Sequence, residues 1–310
     1  MANVTPNQIR ELRERTQAGM ADCKNALVEA DGDLDKAVEI IQKKGLAKVA
    51  KRAAAVATEG EIRATLSADG RSGVLVEINI QTDFASKNEK FQGFLTDVNA
   101  LALSAKSLDD LLAAKLPSGK SVSETRDELI ASIGEKIEVR RFARLDLEAP
   151  AGRVHAYVHM KGSVGVLLAT EAESAAVAEH AGFLKFVDDT AMQICAMAPQ
   201  YIERSQVPAV DLAKQKEIYL EQLKTEGKPE KSWDKIVEGK AAKWYTEICL
   251  VDQLSVIVEK KSVEEVRADT AKEAGGSVKL SAFVRFGLGE GLQKKADDFV
   301  AEAKRMSGTE

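Results

Sequence analysis

Apolar residues run almost without a break through Val74-Leu75-Val76-Glu77-Ile78-Asn79-Ile80, just after the Asp69-Gly70 turn. A short apolar run bounded by turn residues reads as a buried strand. The next residues, Gln81-Thr82-Asp83-Phe84-Ala85-Ser86-Lys87-Asn88, are rich in the oxygen-bearing side chains that cap free N–H groups at a helix start. Beyond them Phe91, Phe94, Leu95, Val98, Leu101 and Ala102 recur at helical spacing and define one apolar face. The chain is thus expected to pass from a strand directly into a helix, with Asp83-Phe84 at the joint. Phe84 falls outside the register of the apolar stripe. Two readings follow: Asp83 caps the helix and Phe84 plugs the strand below it, or Phe84 points outwards and acts on a partner. Ser86 with Glu89 three residues later also makes a capping box, which would start the helix at Ser86 and leave Asp83-Phe84 in a loop.

Upstream, Thr5-Pro6 with Gln8 forms a helix start of the capping-box type, with proline at the first helical position. Ile9 and Leu12 face inwards, Gly19 punctuates, and a second helix is expected around Asp22–Glu29. Asp31-Gly32-Asp33 turns the chain into a third amphipathic helix carrying Leu34, Ala37, Val38 and Ile41, which should stop near Gly45. Lys48–Thr58, rich in alanine, reads as a helical or flexible tether.

The middle of the chain reads as an internal duplication. Gly60–Leu66 alternates as a strand, turns at Asp69-Gly70 and returns from Gly73; Gly152–Val158 alternates likewise, turns near Lys161-Gly162 and returns from Gly165. A helix follows each hairpin, over Ser86–Ala105 and roughly Phe183–Met197. Ser121 with Glu124 then caps a helix ending at Gly134, before a strand over Ile137–Leu145. Ser262 with Glu265 caps the counterpart, ending at Gly275-Gly276 before a strand over Val278–Phe286. Two such units predict an α+β fold with a duplicated core of small antiparallel sheets, helices on one face of each. An insertion at about Ser205–Thr246 interrupts the second copy. Leu212, Tyr219, Leu220 and Leu223, then Trp233, Ile236, Val237 and Trp244, mark the two helices of a hairpin turned by Gly227-Lys228-Pro229. Two helices cannot bury those faces fully against each other, so the hairpin offers a contact surface. After Gly287–Gly291, Leu292, Ala296, Phe299, Val300 and Ala303 form a terminal amphipathic helix, read as an arm for a partner. The expected domains are 1–55, a three-helix bundle; 56–147 and 148–204 with 247–288, the two core subdomains; 205–246, the hairpin; and 289–310, the C-terminal module.

Composition narrows the function. A net charge of -5 over 310 residues argues against a general nucleic-acid binder. Cys23, Cys195 and Cys249 are too few and too scattered for a disulfide framework or a zinc site, which points to a reducing compartment. With no apolar signal core and no membrane-length apolar stretch, a cytoplasmic protein is expected. Catalytic patterns are scarce. His155 and His159 share a strand face but lack an evident third ligand, so no metal site is expected. Gly162-Ser163-Val164-Gly165 is not a nucleophile elbow. Gly287-Leu288-Gly289-Glu290-Gly291 lacks dinucleotide-site spacing, and there is no phosphate-binding loop of the Gly-x-x-x-x-Gly-Lys type. No cofactor and no direct nucleotide binding are expected, and the chain reads as an interaction protein rather than an enzyme. A hydrolase or transferase with an unrecognised site, and an adapter for nascent or ubiquitin-like chains, stand as alternatives.

Several motifs carry a resemblance. Glu11-Leu12-Arg13-Glu14-Arg15-Thr16-Gln17-Ala18-Gly19-Met20-Ala21-Asp22-Cys23-Lys24, Gln81-Thr82-Asp83-Phe84-Ala85, Ile133-Gly134-Glu135, Phe283-Val284-Arg285-Phe286 and Gly289-Glu290-Gly291 occur in the same order as in the bacterial elongation factor Ts family, which they resemble nearly end to end. The family comprises guanine-nucleotide exchange factors for elongation factor Tu. The resemblance implies a UBA-like N-terminal module, a coiled-coil hairpin of dimerisation type and elongation factor Tu as partner. It implies that Arg13 and Met20 contact the partner's G domain. It further implies that Asp83 and Phe84, flanked by Thr82 and Ala85, push in near the partner's magnesium and phosphate site, with Ile133, Gly134 and His159 also on the contact surface.

Overall fold

The structure is a computed structural model that describes residues 4–16 and 18–292. Along the chain run α1 (Pro6–Thr16), α2 (Met20–Glu29), α3 (Leu34–Arg52), β1 (Glu59–Leu66), β2 (Ser72–Ile80), α4 (Asp83–Ser86), α5 (Glu89–Ala102), α6 (Leu108–Ala113), α7 (Val122–Ile133), β3 (Ile137–Asp146), β4 (Gly152–His159), β5 (Val164–Ala172), α8 (Ala175–Glu179), α9 (Ala181–Met197), α10 (Ala209–Thr225), α11 (Trp233–Ile248), α12 (Val263–Ala274) and β6 (Val278–Gly287). The strands form two three-stranded sheets, ordered β1-β2-β3 and β4-β5-β6, so the fold is α+β. The described residues of Met1–Arg63, Val76–Phe142 and Gly287–Glu310 make one compact unit; those of Ala64–Leu75 and Ala143–Phe286 make a second.

In the first unit, α1 opens on the expected capping box. The Thr5 N–H donates to Gln8 Oε1 at 3.0 Å, and the Gln8 N–H returns to Thr5 Oγ1 at 3.3 Å. Leu12, Cys23, Ala26, Leu27 and Ala37 form the small core of the three helices. Gly45 does not stop α3, which continues to Arg52. The glycine is there for a close approach: a Cβ at Gly45 would sit 3.3 Å from Ala131 Cβ of α7. Three residues on, Lys48 Nζ reaches Ala131 O at 3.3 Å. Part of the expected tether is therefore helix packed on helix.

The duplication holds at the level of individual bonds. Gly60 and Gly152 both take φ +128°, and a Cβ there would lie 2.1 Å from Ile78 O or 2.2 Å from Thr170 O. Only glycine fits either place. Complete capping boxes start α7 at Ser121/Glu124 and α12 at Ser262/Glu265, and left-handed Gly134 and Gly275 end them. The Ser121 backbone N–H and hydroxyl, with Lys115 beyond, hold the Glu124 carboxyl at about 2. After each glycine one backbone N–H ties back to the residue that follows the central strand: Lys136 to Gln81 Oε1 and Ser277 to Glu173 Oε2, both at 2.8 Å.

Helix starts are the less legible part of the pattern. The helix expected from Ser86 starts later, as α5 at Glu89 with Asn88 as cap accepting from the Lys90 N–H at 2.9 Å, and a separate single turn α4, capped by Thr82, precedes it. Ser86 instead donates its hydroxyl to Asp83 O. Glu77, inside the apolar run, is fully buried. It accepts from Arg140 at 3.0 Å, from Arg141, and from the Gly289 N–H at 2.8 Å. The same arginines donate onward to Glu290 O and Gly287 O, which fixes the Gly287–Gly291 turn. Burial pushes the Glu77 pKa up, but the Gly289 N–H and Arg141 outweigh it and hold the carboxyl below its ordinary value.

In the second unit, β4 and β5 pair antiparallel from Gly152↔Glu171 to His159↔Val164. Val166, Leu168, Phe183, Phe186, Val187, Ile194, Val278 and Leu280 share its core. The helices α10 and α11 bury Leu223, Val237 and Ala241. Across them Lys240 Nζ lies 5.4 Å from the Tyr219 ring centre and 3.0 Å from Gln222. The expected terminal helix, from Ala296 through Ala303, lies outside the described residues.

Candidate protein-contact site

The turn that carries Asp83-Phe84 is held at both ends. Thr82 is extended (φ −124°, ψ 153°), and its hydroxyl oxygen accepts the Ala85 N–H at 3.2 Å, so Thr82 rather than Asp83 is the cap. Thr82 is in turn clasped by Glu135, the residue after the α7 cap glycine. Glu135 accepts the Thr82 N–H at 3.0 Å and its hydroxyl at 2.8 Å. Neighbouring Gln81 is pinned by the Lys136 N–H. The strand end, the one-turn helix and the C-terminus of α7 are thereby tied into one knot.

On that knot Phe84 is 83% exposed, which excludes the plug reading. Its ring meets a neighbour from its own turn, the Lys87 ammonium 5.6 Å from the ring centre. Lys87 also meets Asp83 at 3.1 Å, with both side chains well exposed. Such a solvated pair contributes little stability. The arrangement presents an apolar ring beside a carboxylate on rigid backbone.

Thr82–Ala85 come together with Ile133 and Gly134, which lie half-buried at the end of α7 beside Glu135. Arg13 is exposed on α1, and Met20 is 52% exposed at the start of α2, in the same unit. His159 belongs to the second unit. It closes β4, with Nδ1 3.0 Å from the Tyr157 hydroxyl and its ring stacked on Tyr157. The loop after it turns through positive φ at Met160, Lys161 and Gly162. His155 is engaged separately, with Nε2 3.1 Å from Asp188 Oδ1, and burial lowers its pKa against the pull of Asp188. Among the described residues no group of His, Cys, Asp or Glu is arranged to hold a metal ion, and no helix is long and apolar enough to cross a membrane.

Sequence reasoning missed the clasp. Glu135 lies inside the Ile133-Gly134-Glu135 motif, but nothing local marks a carboxylate whose partner lies 53 residues away.

A family model described as "Elongation factor TS" matches residues 81–290, a span that includes both the exposed turn and its clasp. The curated protein "Elongation factor Ts" of Clostridium perfringens (strain SM101) is 43% identical over 309 residues, covering 98% of this chain and 99% of its own. The protein of the same name from a Nitratiruptor species is 44% identical over 302 residues, covering 96% and 97%. That from Trichlorobacter lovleyi is 41% identical, covering 98% and 99%. With the likeness covering at least 96% of each chain in each comparison, the chain belongs to the elongation factor Ts family.

Proposed function

We propose that this chain binds GDP-bound elongation factor Tu and speeds the exchange of GDP for GTP by contact alone, with no covalent step of its own. The observation that carries this reading is Phe84, almost fully exposed on a turn that is tied down on both sides. Thr82–Ala85 enter the partner near its magnesium and phosphates. Mg²⁺ tolerates only near-octahedral geometry at short distances, so a wedge that shifts its surroundings by about an ångström weakens the nucleotide-bound state. Linkage makes the effect reciprocal: the factor loosens nucleotide, and nucleotide loosens the factor. A thousandfold loss of nucleotide affinity corresponds to about 4 kcal/mol. Wedge and grip together are of the right order, since a central interface anchor contributes about 2 kcal/mol or more.

Arg13 and Met20, on the UBA-like N-terminal module, supply the grip; Ile133, Gly134 and His159 add to the contact. The site of action is the cytoplasm, in keeping with three buried free cysteines. Purified chain should form a nucleotide-free complex with elongation factor Tu that dissociates on adding GDP. Replacing Arg13 and Met20 together by alanine should weaken that complex at least tenfold in a calorimetric titration without nucleotide. An unchanged dissociation constant would remove the grip from the reading.

The helix pair within 205–246 is assigned to self-association as a separate coiled-coil module. Its one-sided burial of Leu223, Val237 and Ala241 leaves Val210 and Ile218 exposed on α10. Replacing 205–246 by a short Gly/Ser linker should leave the thermal transition of the remainder in place and reduce sedimentation to that of a monomer. Loss of the whole transition would show that the pair is part of the core.

A further inference from the structure

We propose that Glu135 is a positioning residue for nucleotide exchange: its carboxylate fixes the aim of the turn that carries Phe84. The inference rests on the reading of Phe84 as the wedge. It comes from comparing the two copies of the duplicated core. In each copy the central strand ends in a hydroxyl residue that caps a short helix, Thr82 for α4 and Ser174 for α8. In each copy the closing helix ends in a left-handed glycine, Gly134 or Gly275, and a backbone N–H two residues later pins the strand end. The frame is shared; the filling differs.

In the second copy, the residue after the cap glycine is Gly276, and the short helix carries buried Val177. A Cβ at Gly276 would lie 2.7 Å from Val177 Cγ2, so this copy fixes its turn by packing an apolar side chain against bare backbone. In the first copy Ala85 stands where Val177 stands and Glu135 where Gly276 stands. The apolar contact is gone. In its place the carboxylate takes two hydrogen bonds from Thr82, at 3.0 and 2.8 Å. Hydrogen bonds to an ionised acceptor are about twice as strong as neutral ones and are more directional. The exchange makes physical sense for a turn that exposes its aromatic. A plug that buries itself needs no clasp, whereas an exposed ring gains no packing energy and would otherwise sample many directions. Preorganisation by Glu135 spares that loss of freedom when the partner is met.

The test is a double-mutant cycle on release of fluorescent GDP from elongation factor Tu, with stability followed in parallel. Glu135→Ala should slow release about tenfold, while the complex keeps its reliance on Arg13 and Met20 and the thermal midpoint stays near that of the parent. Glu135→Gln, which keeps one acceptor oxygen, should fall between the two. Added to Phe84→Ala, Glu135→Ala should cost nothing further, because a clasp has no function once its ring is gone. A tenfold loss that persists in the Phe84→Ala background would overturn the proposal and make Glu135 a direct contact. Full activity of Glu135→Ala beside a slow Phe84→Ala would overturn the positioning role alone. An unimpaired Phe84→Ala would overturn the wedge itself.

Discussion

Phe84→Ala should leave the unfolding midpoint almost unchanged and slow GDP release from elongation factor Tu by tenfold or more. The two halves of that result discriminate between explanations. A buried aromatic truncated to alanine costs about 3–5 kcal/mol of stability. A surface side chain away from any cap or network stays within about 0.5 kcal/mol. Phe84 is 83% exposed, so its stability contribution belongs to the second class. On the proposed reading, its contribution to exchange would belong to the class of interface anchors, whose truncation costs about 2 kcal/mol or more. A denaturant melt paired with stopped-flow release of a fluorescent nucleotide measures both. A variant that is strongly destabilised yet fully active once folded would return Phe84 to ordinary packing.

The largest stability effect is expected at Glu77. Removing the carboxylate leaves Arg140 and Arg141 without the acceptor they share, and the Gly289 N–H without its partner. Breaking a buried ion pair from one side costs about 3–5 kcal/mol. Glu77→Ala should fall at the lower end, because both guanidinium groups retain some access to water. The pH dependence has a definite sign. The folded-state pKa lies below the ordinary 4.5, so this stabilisation is complete above about pH 4.5 and fades as pH falls through the folded value. Glu77→Ala should therefore differ most from the parent at neutral pH, and the gap should narrow in acid. Urea unfolding at pH 7 and pH 3, with hydrogen exchange at Gly289, reports both. Equal midpoints at pH 7 would show that the cluster is incidental.

What can be read in the sequence is what neighbours in the chain decide. Ser121 with Glu124, Ser262 with Glu265 and Thr5 with Gln8 are local pairs, and each forms its expected capping box. The register of Phe84 against Phe91, Phe94 and Leu95, which are buried, raises the outward reading beside the plug, and its 83% exposure decides between them. The errors come where distant partners decide. Gly45 reads as a stop signal unless one knows that Ala131 lies against it. Ser86 with Glu89 reads as a capping box from sequence, yet Thr82 caps a separate turn and Asn88 caps the helix that follows. The short helices α6 and α8 are too brief to show periodicity. Glu77 and Glu135 are single acidic residues whose meaning depends on partners more than fifty positions away.

The close approach of α3 to α7 at Gly45 has a kinetic consequence. The third helix of the N-terminal bundle is keyed onto the helix whose end clasps the Phe84 turn. On the proposed reading, the grip at Arg13 and Met20 and the wedge at Phe84 would then act as two arms of one caliper rather than as two beads on a string. Once one arm has engaged, the other meets its target at an effective concentration set by helix packing and not by the wandering of a linker. On that reading a loosened contact would still bind at either end but would forfeit that avidity, so Gly45 and Ala131 would set how fast the second arm closes on a partner already touched.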